Sequence, residues 1–188
     1  MNMEKKFELT DNFIINAFGV KLFQIKCTKS FKYAKEGDLG GYVEKDENLD
    51  QESDAWVYGN ARVYGDAQVY GNARVSGDAW VSGDAQVYGN ARVYGDARVY
   101  GDARVYGNAD IENDNNHCGF DCFGSCNRHT HAYLTKDNKV EITCGCFRGS
   151  IEEFEKEVEK THSGKIYEKQ YKAIINVIKI KFGLTDLI

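Results

Sequence analysis

The chain has 188 residues, with 24 Lys and Arg against 29 Asp and Glu, so its formal net charge is −5. This acidic balance argues against broad nucleic-acid binding, which needs a basic surface to displace counterions. There is no apolar run of about 18 residues and no basic-then-apolar leader, and six cysteines without a leader favour reduced thiols. We therefore expect a cytoplasmic protein with neither a membrane span nor a signal peptide.

Residues 1–50 are predicted to form an N-terminal β cap. Phe23, Ile25 and Cys27 alternate with polar residues, as in a strand, and Val43 and Leu49 match the spacing of the repeat that follows. A short repeat would expose unpaired strand edges at its ends, so a cover is expected there. The spacing from Leu49 to Val57 is out of phase with the repeat and predicts a bulge or loop.

Residues 51–111 contain a strict six-residue repeat, Gly-(Asp/Asn)-Ala-x-Val-(Tyr/Ser). Alanine recurs from Ala55 to Ala109, and two positions after each stands an aliphatic residue, from Val57 to Ile111. A period of six fits neither an α-helix nor a lone strand, and indicates a repeat architecture. We expect Ala, x and Val to form a short strand with Ala and Val inward, and Gly with Asp or Asn to form the corner.

Three units predict a triangular coil of 18 residues, because the corner residue is uniform along two edges at that spacing. These edges are Asn72, Asn90 and Asn108, and Asp66, Asp84 and Asp102. The predicted fold is mainly β: a three-sided solenoid of about three coils. Stacked amides can hydrogen-bond along an edge, whereas the aspartates are interpreted as solvated turn residues, with a bound cation as the alternative.

The outward positions define three faces. The first face carries Trp56, Arg74 and Arg92 beside Tyr58, Ser76 and Tyr94. The second carries Arg62, Trp80 and Arg98 beside Tyr64, Ser82 and Tyr100. The third carries Gln68, Gln86 and Arg104 beside Tyr70, Tyr88 and Tyr106.

Arginine with tyrosine or tryptophan can bind a phosphate or a nucleotide through paired hydrogen bonds and stacking. The candidate ligand or partner residues are Trp56, Arg74, Trp80, Arg92, Arg98, Tyr100 and, beyond the repeat, Arg128. Ser76 and Ser82 suggest a groove beside Trp80. The third face has the fewest charges and is the candidate surface for homo-oligomer formation, through Gln68, Tyr70, Gln86, Tyr88, Arg104 and Tyr106. The alternative is that the tyrosines only stack and stabilise the coils.

Residues 112–188 are predicted to form a C-terminal α+β module after a polar hinge at 112–116. Two strands, at 129–135 and 140–146, are predicted to form a hairpin. Ser150 with Glu153 forms a capping box at the start of a helix that ends at Gly164. A second helix follows, and the residues at helical spacing are Ile151, Phe154 and Val158 in the first helix and Tyr167, Tyr171, Ile174 and Ile178 in the second.

The same module contains candidate metal ligands. If Asp137 and Asn138 form the hairpin loop, His131 lies opposite Cys144 and His129 opposite Cys146. Such nitrogen and sulfur ligands can hold zinc tetrahedrally. Two alternatives are open: buried core thiols, or a catalytic Cys–His pair.

The chain resembles the hexapeptide-repeat family of left-handed parallel β-helices. It resembles more closely a group of phage and prophage proteins of unassigned biochemistry, on the segments 37–45 and 47–49, on Cys144-Gly145-Cys146-Phe147, and on Thr161-His162. The resemblance implies left-handed winding. Hexapeptide acyltransferases use a histidine of the coils or of an inserted loop as general base, and carbonic anhydrases of this fold bind zinc through coil histidines. Residues 50–111 contain no histidine, which disfavours both activities.

We therefore expect a non-enzymatic binding or scaffold protein without a cofactor, zinc being the one open possibility. As a phage-encoded protein in the host cytoplasm, it would modulate or neutralise a host defence component by binding a protein or by sequestering a small nucleotide. The alternatives are a hexapeptide-type acyltransferase or an atypical zinc or Cys–His enzyme, and an architectural assembly protein.

Overall fold

The structure is a computed structural model that describes residues 5–184. It separates into two compact units, the first ending at Asn113 and the second beginning at Asp114. Among the helices in the described part, none is long and apolar enough to cross a membrane.

The first unit begins with an antiparallel arrangement of β1 (Phe7–Ile15), β2 (Lys21–Cys27) and β3 (Leu39–Val43). The expected strand at 23–27 is therefore present, and Ile25 and Cys27 are buried. β3 also pairs in parallel with a strand of the repeat. A 3₁₀ turn at Asp46–Asn48 follows, where Asn48 donates to the carbonyls of Gly65 and Ala67 and ties this segment to the next coil.

Each hexapeptide contributes one two-residue strand. The strands are β4 (Trp56–Val57), β5 (Arg62–Val63), β6 (Gln68–Val69), β7 (Arg74–Val75), β8 (Trp80–Val81), β9 (Gln86–Val87), β10 (Arg92–Val93), β11 (Arg98–Val99), β12 (Arg104–Val105) and β13 (Asp110–Ile111). They stack into three parallel sheets, β3-β5-β8-β11, β4-β7-β10-β13 and β6-β9-β12. Neighbouring repeat strands in a sheet are one 18-residue coil apart, as the corner residues predict, whereas β3 and β5 are 20 residues apart.

The solenoid has about four turns, so the expected number of three is too small. Val43 pairs with Val63 and Leu49 bridges to Val69, which places both residues in the inward column one coil before the repeat begins. Bends at 51–54 absorb the change of phase before Val57. The loop expected there is present.

The interior of the solenoid is built from alanine and valine. Every repeat alanine from Ala55 to Ala109 and every valine from Val57 to Val105 is buried, with at most 2% of its surface exposed. The prediction of inward Ala and Val is confirmed.

At the corners of the solenoid the glycines adopt positive φ, and Asn72 donates to Asn90 Oδ1 at 3.3 Å along its edge. On the aspartate edge, Asp66 pairs with Lys45 at 2.7 Å.

The second unit contains a four-stranded antiparallel sheet and two helices. The elements are a 3₁₀ turn (Asp114–Asn116), β14 (His117–Phe123), β15 (Arg128–Leu134), β16 (Val140–Cys144), β17 (Phe147–Gly149), α1 (Ile151–His162) and α2 (Ile166–Lys181). The hairpin of β15 and β16 was expected. The flanking strands β14 and β17 were not predicted. β14 shows no clear alternation of apolar and polar residues, and β17, with three residues, is too short to show a pattern.

The helices follow the local sequence signals. The Ser150–Glu153 capping box is present, and Ile151, Phe154 and Val158 face the core as predicted. In α2, Tyr171, Ile174 and Ile178 are buried, together with Ile175. They pack with Ala132, Ile142 and Cys144 of the sheet.

The register of the hairpin differs by one residue from the expected one. Thr135 and Lys139 are hydrogen-bonded, so the loop has three residues, 136–138, and Asn138 adopts positive φ. Consequently Thr130 pairs with Cys144, and His131 pairs with Thr143. A shift of one residue moves a side chain to the other face of the sheet.

The zinc site expected from His129, His131, Cys144 and Cys146 is therefore wrong. Cys144 lies on the sheet face that packs against the helices, and His131 lies on the opposite face. Within residues 5–184 no three His, Cys, Asp or Glu side chains are arranged to hold a metal. The same shift separates the candidate Cys–His pair.

Candidate functional site

The first face of the solenoid contains a cleft of about 510 Å³. Its lining residues are Tyr58, Arg74, Ser76, Arg92 and Tyr94, and we refer to it as the first-face cleft. The stacked backbones set its geometry, since Tyr58 N–H donates to Val75 O at 2.8 Å and Ser76 N–H to Val93 O at 2.9 Å. Tyr58, Ser76 and Tyr94 therefore occupy the same position on three successive coils.

Both tyrosines of the cleft are anchored at their hydroxyl ends. Tyr58 donates to the carbonyl of Tyr33 at 3.3 Å, and Tyr94 donates to Asp110 Oδ2 at 3.4 Å. Burial raises the pKa of Tyr58 and of Tyr94, so both phenols are neutral at physiological pH. The cleft thus has two neutral aromatic walls held in place before any ligand arrives.

Two arginines from adjacent coils provide the positive charge of the first-face cleft. The Arg74 guanidinium lies 5.1 Å from the centre of the Tyr33 ring, and Arg92 is exposed. In the described part of the chain neither arginine forms a salt bridge. Their charge is therefore available to an anion that enters the cleft.

Trp56 does not belong to this site, contrary to the sequence prediction. Its side chain is 1% exposed and makes edge-on ring contacts with Phe7 and Phe31, at 6.3 and 5.4 Å between ring centres. The N-terminal segment covers this end of the first face. The outward position of a residue in the repeat does not show whether another segment of the chain covers its side chain.

The second face keeps its candidate residues together, but apart from Arg74 and Arg92. The Trp80 ring lies between two guanidinium groups, 5.1 Å from Arg62 and 5.4 Å from Arg98. Tyr100 is 64% exposed. Ser76 follows β7 on the first face, whereas Trp80 lies in β8 on the second. The groove expected beside Trp80 stays a prediction.

The third face carries an unbroken column of tyrosine rings. Tyr70 and Tyr88 stack at 4.7 Å with an interplanar angle of 4°, and Tyr88 and Tyr106 stack at 4.7 Å and 6°. The expected stacking is confirmed. Gln68 and Arg104 are exposed beside the column. Self-association through this face stays a prediction.

A second pocket, of about 370 Å³, lies within the second unit. Its lining includes Arg128, Cys144, Cys146, His162 and Tyr171. The His162 ring stacks on Tyr171 at 5.5 Å, and the Tyr171 hydroxyl lies 3.8 Å from Cys144 Sγ. The Cys144-Gly145-Cys146-Phe147 and Thr161-His162 segments thus meet at one pocket.

The thiols of the second unit differ in exposure. Cys144 is buried and accepts a hydrogen bond from Thr130 Oγ1 at 3.3 Å, whereas Cys146 is exposed. Burial raises the pKa of Cys118 to about 11. Burial also raises the pKa of Tyr171, with the neighbouring Cys144 adding to the effect. The Cys118 thiol therefore stays protonated at neutral pH and is a poor nucleophile.

Sequence reasoning did not detect a row of histidines on the other face of this sheet. His117 Nδ1 lies 2.9 Å from His131 Nε2, and the rings of His131 and His129 are 5.6 Å apart. His129 Nδ1 contacts Asp121 Oδ1 at 2.5 Å. Burial lowers the pKa of His117. Because His117 belongs to a strand that was not predicted, no sequence signal placed it beside His131.

Comparison with known proteins identifies the repeat. A family model described as the YdcK β-solenoid repeat matches residues 55–67, 67–83, 85–101 and 97–111. Residues 55–111 form a β-solenoid repeat. No curated protein matches the chain. The matched residues include all five that line the first-face cleft.

Proposed function

We propose that this chain is a non-enzymatic binding protein in which the solenoid is a rigid scaffold and the first-face cleft binds a small nucleotide. The observation that carries the proposal is the combination, around one cleft, of two anchored tyrosines and two arginines that form no salt bridge within residues 5–184. Arginine binds phosphate through paired hydrogen bonds, and tyrosine stacks on any base. The cleft volume, about 510 Å³, lies in the usual range for small-molecule sites.

Rigidity supports binding rather than turnover. The cleft residues stand on stacked strands whose Ala and Val interior is fully buried, so little order has to be gained when a ligand binds. The coils contain no histidine that could act as general base near neutral pH. The hexapeptide-type acyltransferase is for this reason the weaker proposal.

The biological setting is proposed from the sequence resemblance. Segments 37–45 and 144–147 resemble phage and prophage proteins, and from these we propose a phage-encoded chain with left-handed coils that acts in the host cytoplasm. Sequestering a nucleotide signal would neutralise a host defence without any catalytic step.

A second candidate function is binding of a protein, either a host component or another copy of this chain. The unbroken tyrosine column of the third face favours it, because tyrosine is enriched at protein interfaces. A purely architectural role in an assembly would use the same surface.

The proposal is tested by extracting small molecules from the full chain after native purification and by native mass spectrometry of the intact protein. We expect a nucleotide bound at one per chain, or a rise in melting temperature when mononucleotides are added. A protein that is empty and gains no stability from any nucleotide would refute nucleotide binding. A mass equal to a multiple of the chain, or a captured host protein, would favour the second candidate.

A further inference from the structure

The third face shows what the tyrosine position of the repeat does when three successive coils carry a tyrosine. Tyr70, Tyr88 and Tyr106 form a stack with 4.7 Å between successive ring centres and nearly parallel planes. The ring spacing follows the separation of stacked strands, about 4.8 Å. One ring per coil therefore completes the column.

On the first face the same column lacks its middle ring. Val57 pairs with Val75 and Val75 with Val93, so Tyr58, Ser76 and Tyr94, each the next residue along, are in strict register. If the first face keeps the third-face spacing of 4.7 Å per coil, a planar group at the level of Ser76 would lie one such spacing from each tyrosine. Those are the distances at which Tyr88 stacks on its two neighbours.

The second face also has a serine between two tyrosines, Tyr64 and Tyr100, but its surroundings differ. The side chain on the same coil as Ser82 is Trp80, whose indole lies between two arginines. On the first face the equivalent residue is Arg74, whose guanidinium contacts Tyr33. Ser76 therefore has an arginine at the outward position of its own strand, whereas Ser82 has a tryptophan there, and Ser76 lines the cleft of about 510 Å³ described above.

We infer that the first-face cleft takes a single nucleobase between Tyr58 and Tyr94, over Ser76, so that the base replaces the missing ring of the column. The phosphate of the same nucleotide pairs with Arg92 and Arg74. The inference rests on the proposed function and specifies its ligand class: a nucleotide whose base contributes as much as its phosphate. An anion without a planar ring fills only half of the site.

The test measures the affinity of the full chain for AMP, GMP, CMP and UMP, with ribose 5-phosphate as the ligand that lacks a base. We expect ribose 5-phosphate to bind at least about tenfold more weakly than the best mononucleotide, because stacking contributes about 1–3 kcal/mol per base. Calorimetric titration at constant ionic strength gives each dissociation constant.

Ser76→Tyr completes the column and should lower the affinity for the best mononucleotide at least about tenfold. Ser82→Tyr is the matched control, since it makes the same change on the second face, and should leave the affinity within about twofold. Unfolding midpoints of both variants establish that the solenoid is intact. Arg92→Gln should weaken mononucleotides but not the corresponding nucleosides.

Two results would overturn the inference. If the Ser76→Tyr variant binds mononucleotides as the natural chain does, or if Ser82→Tyr weakens them equally, the base lies elsewhere while nucleotide binding itself survives. If no mononucleotide binds and none is retained on purification, the inference and the proposed function fail together.

Discussion

The solenoid and the second unit bury their interiors in different ways. In the solenoid the same two residue types recur on every coil, and the surroundings of Val81 are nearly those of Val63 and Val99. In the second unit one sheet face packs on two helices, and the buried cluster combines residues as different as Ala132, Phe154 and Tyr171. A departure from the repeat is therefore conspicuous in the solenoid, and Ser76 is such a departure. The second unit offers no repeated background against which an unusual residue stands out.

The largest effect should come from placing a charge in the solenoid interior. Val87 is fully buried in β9, in the alanine and valine interior of the solenoid. Val87→Asp should cost more than about 4 kcal/mol of unfolding free energy, because the carboxylate has no polar partner there. Gln86→Asp, one residue away and facing outward, is the control and should cost less than about 1 kcal/mol. Urea unfolding followed by circular dichroism measures both, and equal midpoints would contradict the repeat core.

The second unit should respond strongly to loss of a single apolar contact. Ile178 is fully buried on α2, whereas its neighbour Val177 is 48% exposed. Ile178→Ala should cost about 2–5 kcal/mol. Val177→Ala should change stability by less than about 0.5 kcal/mol. Both are measured by the same unfolding experiment, and a larger effect at Val177 would mean that the buried face of α2 is wrongly assigned.

A smaller effect should distinguish two corners of the solenoid that share one backbone conformation. Gly77 and Gly59 both have positive φ, at 68° and 57°. A Cβ on Gly77 would lie 2.9 Å from the backbone of Gly95, whereas the nearest atom to a Cβ on Gly59 is 3.8 Å away. Alanine should cost about 1–2 kcal/mol at either site from backbone strain. At Gly77 it should cost about 1–3 kcal/mol more.

The Gly77 and Gly59 variants are compared by thermal unfolding under identical conditions. Equal losses of stability in the two variants would show that the coils can separate at the Gly77 corner. A greater loss at Gly59 would contradict the close stacking of Gly77 on the next coil.

The smallest effect should be a pH dependence from His117 in the second unit. Burial lowers the pKa of His117 below its usual value near 6.5, so below that pH the unfolded state binds more protons than the folded state. The free energy of unfolding should therefore fall as the pH drops from about 6.5 through the folded pKa. His117→Gln should reduce this slope.

Chemical denaturation between pH 5 and 8 gives the slope of the free energy of unfolding against pH for the natural chain and for the His117→Gln variant. Comparing the slopes removes any loss of stability in the variant that does not depend on pH. His131, in contact with His117 at 2.9 Å, is present in both proteins. An unchanged slope would show that His117 does not contribute.

Local and periodic features were predictable. The Ala and Val columns, the glycine corners and the tyrosine stack follow from a period of six, because any other register would expose the apolar residues. The Ser150–Glu153 cap and the buried faces of α1 and α2 follow from neighbours along one helix. Of the candidate site, Arg74 and Arg92 were found, but not the cleft that they share with Ser76.

The errors involve contacts between distant segments. Trp56 is covered by Phe7, which lies 49 residues earlier in the chain. The sequence around Phe7 contains no pattern that predicts this contact. The zinc ligands were misplaced because one additional loop residue in the hairpin reverses which face each side chain occupies.

The sequence by itself therefore determined a β-solenoid with methyl-bearing side chains inside and aromatic and charged columns outside, since a period recurring over ten units admits one consistent register. Only the tertiary structure decided which outward side chains stay accessible and which imidazoles and thiols share a face. Those properties depend on packing between segments far apart in the chain, where a single residue of loop length or one covering ring changes the outcome.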